Sequence, residues 1–356
     1  MCLAYKPNIT LIYIVSWVNL LEIGLNLELC RYLGFLLSKI RFYPSSFTDE
    51  LYYPSLDCDD ELVADYFFFM VAIDHRTGIG DMPFNGRIHG REFRGANLLW
   101  RLGKLKFNSD PEIFLPHNMK NISTHDILEW FRVDFPLPKW VWDPDVRAFL
   151  LRDAATKLIK HYNGSVLNLI EESKGYLYHN GEGLIERLKI FRAYEDPVEK
   201  KAFLLVKFLE RRGLFEVKDE DNLNVAVDNH LTRIALRLGI VHVDDETLNK
   251  ISEGKSFTST EDYALRIRVR ETYKLVSAFS KVRATVLDDF LWLFGKYCCR
   301  RDAPVCVTGC NRIDCPVMDL IGNCYGNCPL YSICKGRFDP KLQMLPEHNF
   351  TETWYY

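Results

Sequence analysis

Residues 226–241 read AVDNHLTRIALRLGIV. Leu231, Ile234, Ala235 and Leu238 fall at i, i+3, i+4 and i+7, so they form one apolar face of a helix. Gly239 supplies the left-handed stop and Asp228 falls at the N-cap, which holds its carboxylate at the positive end of the helix. Capping aspartates are common and most are only caps. The sequence downstream sets this one apart. Eight of the eleven cysteines lie between Cys298 and Cys334, the others being Cys2, Cys30 and Cys58. One dense cluster beside three scattered thiols reads as metal ligation rather than a secreted disulfide framework, which places the chain in the cytoplasm.

At 356 residues, with 48% apolar and 13% aromatic content, the chain has ample material for a core. A formal charge of −3 excludes a wholly basic nucleic-acid coat protein, and leaves only local basic stripes such as RIRVR at 266–270. Near the N-terminus, ITLIYIVSWVNLLEIGLNLELC (9–30) is interrupted by Asn19, Glu22, Asn26 and Glu28 before it reaches the ~20 apolar residues a membrane span needs. A buried or partner-facing helix is expected there, with no membrane partner.

The composition divides the chain into an N-terminal helical segment (1–60), a helical body (61–296), a cysteine-rich loop (297–336) and a tail (337–356). Pro44 and Pro54 punctuate the first boundary. DYFFFMVAID (65–74) is an apolar run suited to a buried strand or helix. HRTGIGDMPFNGRIHGREFRG (75–95) carries the glycines of a small hairpin, giving a β element over about 66–95. Helical periodicity then dominates, with Ser123 and Asp143 as expected caps. The fold class is mostly α.

The 226–241 stretch resembles the VD-T-H-x-x-R-V-x-x-R-L-G segment of the endonuclease III branch of helix-hairpin-helix DNA glycosylases, through Asp228, His230, Arg233, Arg237, Leu238 and Gly239. The resemblance implies a DNA-glycosylase-like helical fold with Asp228 catalytic and Lys201 at the place of the lyase lysine. It also implies a C-terminal iron–sulfur loop. Gly295, Lys296, Tyr297 and Cys299 match that loop's lead-in. Cys299 and Cys306 are separated by six residues, and Cys328 and Cys334 by five. Cys299, Cys306, Cys328 and Cys334 are the ligands this implies for a [4Fe–4S] cluster. An insertion carrying Cys310, Cys315 and Cys324 leaves open a set that uses Cys315 and Cys324 with the same final pair, and a separate zinc site among the spare thiols.

A longer similarity, over about Tyr66 to Leu293, is to the queuosine salvage proteins, which are queuosine 5′-phosphate N-glycosidases. It rests on YFFFMVAID, the F-R-G of the hairpin, LLWRL, the STHDIL helix start, NGSVLNLIEES, KKAFLL, the Asp228 helix and VLDDFLW, in that order. It implies catalytic roles for Asp228 and Lys200, and makes Asp288 the matching downstream carboxylate. Asp74 and His75, after the aromatic run, and His230 and Arg233, beside Asp228, are the candidate substrate-binding residues. Lys200 and Lys201 are equally readable as solvated lysines on a charged helix face, His230 as a surface histidine, and Asp288 and Asp289 as one buried and one exposed carboxylate.

The two resemblances share one chemistry, cleavage of an N-glycosidic bond through an oxocarbenium-like sugar. They differ in substrate. Glycosylases that act on DNA grip a phosphate with a glycine hairpin, whereas YEDPVEKKAF (194–203) has no glycine. The expectation is therefore an N-glycosidase acting on a 7-deazaguanine-type nucleotide or nucleoside. A DNA glycosylase/lyase and a non-catalytic nucleotide- or nucleic-acid-binding iron–sulfur protein stand as alternatives.

Overall fold

A computed structural model describes residues 22–79, 82–134, 136–311, 314–322, 324, 327–351 and 353–356. Most of the apolar segment 9–30 lies outside them. Its described end forms a strand, β1 (Ile23–Leu25), and a helix, α1 (Leu27–Leu37), capped by Asn26 Oδ1 on the Leu29 N–H. No helix among the described residues is long and apolar enough to cross a membrane.

The run at 65–74 belongs to a helix, α2 (Asp60–Ala72). Asp59 caps its first turn, and every residue from Val63 to Ala72 is buried. A helix apolar on nearly all sides, Asp65 apart, has to sit inside the molecule. The glycine-rich segment folds into two small antiparallel hairpins where one was expected. The first pairs Gly78–Ile79 with Met82–Pro83; the second pairs β2 (Asn85–Ile88) with β3 (Arg91–Arg94). His89 and Gly90 turn the second with φ of 48° and 79°, which suits a two-residue loop with both centres left-handed.

Helix α3 (Ala96–Ser109) follows, and then the short helix Thr124–Trp130, which Ser123 starts with a full capping box to Asp126. Asp143 is at the N-cap of α4 (Pro144–Tyr162), but its side chain makes no capping bond. It is left-handed (φ 51°), and its carboxylate pairs with Arg76 at 3.1 Å. The helix start rests on Pro144 instead, whose fixed φ suits the first turn.

The C-terminal half holds α5 (Lys200–Arg211), α6 (Asn229–Leu238), strand β4 (Val241–Val243), α7 (Ser259–Ser280) and α8 (Ala284–Tyr297). β4 pairs antiparallel with β1, Ile23 opposite Val243, and α1 packs along α7. The approach is close: a Cβ on Gly34 would stand 2.5 Å from that of Phe279.

Two apolar cores result. One gathers around α2, α3, α4 and α5; the other gathers α1, α6, α7, α8 and the cysteine loop. The chain crosses between them repeatedly, and two of the crossings bear on the site. Val198 belongs to the second core and Ala202 to the first; Ala226 belongs to the first, with Val225 and Val227 in the second. These crossings deliver Lys200 and Asp228.

Candidate active site at the seam of the two cores

Asp228 is nearly buried, with 9% of its surface exposed. Its Oδ1 accepts from the Leu231 N–H at 2.9 Å, so it is a true N-cap, and Oδ2 has no hydrogen bond within the described residues. The segment ahead of it is pinned on both sides. Ala226 N–H donates to Asp288 Oδ1 at 2.8 Å, and the Val227 carbonyl accepts from Arg266 at 2.9 Å. One carboxylate oxygen is thus held by the helix, and the other is unbonded among the described residues.

Asp74 and His75 leave the end of α2 at the same seam. Lys200 Nζ donates to the Asp74 carbonyl at 3.1 Å and lies 3.9 Å from its carboxylate. Lys201 Nζ donates to the Ala72 carbonyl at 2.6 Å and meets His75 Nδ1 at 3.2 Å. Neither lysine is on a solvated face: Lys200 is 8% exposed and Lys201 not at all. Burial, and then the charges of Lys200 and Arg147, push the Lys201 amine well below the usual lysine range. An amine so placed gives up its proton readily, as nucleophilic lysines do.

A buried ion pair ties the two crossings together. Arg266 and Asp196 are both fully buried and bonded twice, at 3.0 and 2.7 Å. Asp196 also accepts from the Val198 and Lys200 N–H groups at 3.0 and 2.9 Å, while Arg266 holds Val227. This pair joins the Asp74–Lys200 side to the Asp228 side.

Other candidates take supporting positions. Asp288 and Asp289 are both buried, where one of the pair was expected to be exposed. Lys207 binds Asp288 at 2.6 Å and Asp289 at 3.0 Å, and Asp288 acts on the site through Ala226. Burial opposes the Lys207 charge, and the two carboxylates outweigh it, so its amine is held above the usual range. The Arg233 guanidinium is enclosed by the Gly295 and Cys299 carbonyls (2.9 and 2.8 Å) and by Glu347. It fastens α6 to α8. His230 is half-exposed, with Nδ1 3.3 Å from Arg233 and 3.5 Å from Glu347.

Two residues were not read from the sequence as site residues, Lys296 being named there only in the lead-in to the cysteine loop. Lys296, on the last turn of α8, donates to Asn97 Oδ1 of α3 at 2.7 Å and stands over the Trp292 ring at 4.4 Å. Burial, partly offset by Asp74, pulls its amine down to about 8. The signal for Lys296 was present as a lone cation closing the apolar helix VLDDFLWLFGKY. Nothing local marks Asn97.

His75 makes the site pH-sensitive. Its Nε2 is buried without a hydrogen-bond partner among the described residues. Burial first, then the charges of Arg147 and Lys201, push the imidazole well below its usual range. Unfolded, the ring takes a proton as the pH drops through about 6.5. Below that point the unfolded state binds more protons, so stability present above it is lost on acidification, by up to about 1.4 kcal/mol per pH unit. Urea melts from pH 7 to 5 should show this loss, and His75→Gln should flatten it. An undiminished slope in the variant would assign the loss to other groups.

The cysteine loop packs on the far end of α6. Cys299, Cys306, Cys328 and Cys334 line one cavity, walled by Leu238 and Phe294 among others. Cys298 also reaches it, but the charges that act on the Cys298 thiol come first from Cys315, Cys324 and Cys310. Cys315 and Cys324 do not line the cavity. Among the described residues, no three His, Cys, Asp or Glu side chains are grouped as ligands for a single metal ion.

No curated protein matches the chain. A family model does: the one described as queuosine salvage protein covers residues 60–304 of the 356, a span that includes Asp74, Lys200, Lys201, Asp228 and Asp288 and stops short of Cys306. With well over half its length matched, the chain belongs to the queuosine salvage protein family.

Proposed function

We propose that the protein is an N-glycosidase that hydrolyses the bond between base and sugar in a queuosine-type 7-deazaguanine nucleotide, with Asp228 as the catalytic carboxylate. The observation that carries this reading is Asp228 itself: nearly buried, with one oxygen fixed by Leu231 and the other without a hydrogen bond among the described residues, inside the family-matched span. As the C1′–N bond breaks, its electron pair leaves with the base and positive charge builds on the sugar. A desolvated carboxylate opposite that carbon stabilises the charge and orients the attacking water. The water oxygen bonds to C1′, its proton passes to Asp228, and the departing nitrogen takes a proton from solvent. Lys200, held on Asp74, and Lys296, held on Asn97, supply positive charge for the substrate's anionic part.

A single nucleotide is favoured over duplex DNA because residues 194–203 hold no glycine hairpin and their Val198 and Lys200 amides are already taken by Asp196, itself paired with Arg266. The test is to incubate the protein with queuosine 5′-phosphate and related 7-deazaguanine nucleotides, and separately with duplexes carrying uracil, oxidised pyrimidine or oxidised guanine. Products are read by chromatography with mass detection. Free base from the nucleotides is expected. Base release from the duplexes alone would overturn the reading in favour of a repair glycosylase.

A further inference from the structure

We propose that the tail is a strap across the seam of the two cores, clasped by Tyr356, a positioning residue that holds Arg266 and Arg76 and through them the Asp228 and Asp74 sides of the site. Its effect on turnover rests on the glycosidase reading; the strap itself does not.

The tail, over residues 345–351 and 353–356, starts on one core and ends on the other. Leu345 is buried in the second core, and its carbonyl accepts from Arg237 Nε at 2.9 Å. Glu347 then takes the Arg233 guanidinium and, at 3.3 Å, the Asn229 side chain, which anchors it at the first turn behind Asp228. Asn349 is tied to the loop ahead of α7, accepting from the Phe257 N–H at 2.7 Å and donating to the Gly254 carbonyl at 2.9 Å. Trp354 packs against the first core and donates from Nε1 to the Arg192 carbonyl at 3.0 Å.

His348 and Tyr356 close this stretch on one carboxylate. Asp262 of α7 accepts from the Tyr356 hydroxyl, and the same oxygen lies 2.9 Å from His348 Nε2, itself 3.0 Å from that hydroxyl. The Tyr356 ring stands 4.3 Å from the Arg266 guanidinium, which pairs with Asp196 and holds the Val227 carbonyl. An aromatic face is attractive to a desolvated cation, so the ring steadies the group that joins the two crossings. On the opposite side, the Tyr356 carbonyl accepts from the Arg76 N–H at 3.3 Å. Arg76 needs such support. Its φ of 41° is left-handed, which is unfavourable for a residue with a Cβ and persists where the surroundings impose it. Arg147 bonds its carbonyl at 3.4 Å, Asp143 pairs with its side chain, and the tail holds its N–H. This turn sets how Asp74 and His75 leave α2.

The experiment compares hydrogen exchange, read by mass spectrometry of peptides covering 74–77 and 197–201, with base release in the full-length wild type, Tyr356→Ala, Tyr356→Phe and Trp354→Ala. Tyr356→Ala should exchange severalfold faster at the Arg76, Val198 and Lys200 amides, the last two because they depend on Asp196 staying on Arg266. Tyr356→Phe keeps the ring and should restore most of the protection at 198 and 200. Trp354→Ala frees the strap from the first core, should by itself speed exchange at Arg76, and guards against a Tyr356→Ala protein that does not fold. With the nucleotide, kcat of Tyr356→Ala should fall about tenfold at little-changed KM, the pattern for misplacing a group that acts in the transition state. Wild-type exchange in both alanine variants would overturn the strap, whether or not any base is released. Faster exchange with wild-type kcat, or a raised KM alone, would overturn the positioning role. A wild type that releases no base would sink the glycosidase reading and leave the exchange result to decide the strap.

Discussion

Asp228→Asn should reduce base release by about 10²–10³-fold or more, the scale for removing a group that stabilises charge in a transition state. Folding should be nearly unaffected. Asparagine caps a helix about as well as aspartate does, and the amide oxygen of the variant can still accept from the Leu231 N–H. The substitution therefore separates two roles that coincide in one side chain. Turnover is measured on the nucleotide that the wild type cleaves, alongside a thermal melt. Wild-type turnover with an unchanged melt would leave Asp228 as a cap and nothing more. A collapsed melt would mean that its charge supports the fold, and the comparison would then pass to Asp228→Ser, which also caps.

Asp196→Ala should destabilise the protein by about 3–5 kcal/mol, the range for removing one partner of a buried ion pair. Arg266 would keep Asp262, 3.4 Å away, but the alanine would strip both short contacts from its guanidinium and leave the Val198 and Lys200 amides without their acceptor. Urea unfolding measures the loss. A change of less than about 1 kcal/mol would show that Asp262 or water replaces the carboxylate. Because Asp196 stands between the lysine side and the Asp228 side, base release in whatever folded fraction remains should also fall.

The local part of the fold was legible because it is written in nearest-neighbour chemistry. The Asp228 cap, the Gly239 stop and the Ser123 box each depend on a residue and the few that follow it, and each is present. The run at 65–74 was ambiguous between strand and helix because an element buried on all sides has no polar face to show a period; thirteen residues behind an Asp59 cap make it a helix. Asp143 failed as a side-chain cap because a partner 67 positions earlier, Arg76, took its carboxylate.

The site was legible in its residue types and illegible in its wiring. Sequence alone singled out Asp228, the consecutive lysines at 200 and 201, Asp74, Asp288 and a cysteine-dense loop, because an acidic cap before an apolar helix and eight thiols within a short span are visible without coordinates. It did not show that both lysines are buried, that Asp288 works through Ala226, or that Arg233 is locked between α8 and Glu347. Nor did it show Lys296 reaching Asn97 across 199 positions. Which of the cysteines surround one cavity was likewise a choice among spacings until the chain was folded. Those facts depend on which groups two apolar cores exclude from water and press together at their seam. Hydrophobic burial is non-directional, so a sequence can specify that an element is buried without specifying what it is buried against. Packing decides the partners, and here the partners turn a helix cap into a candidate catalytic carboxylate.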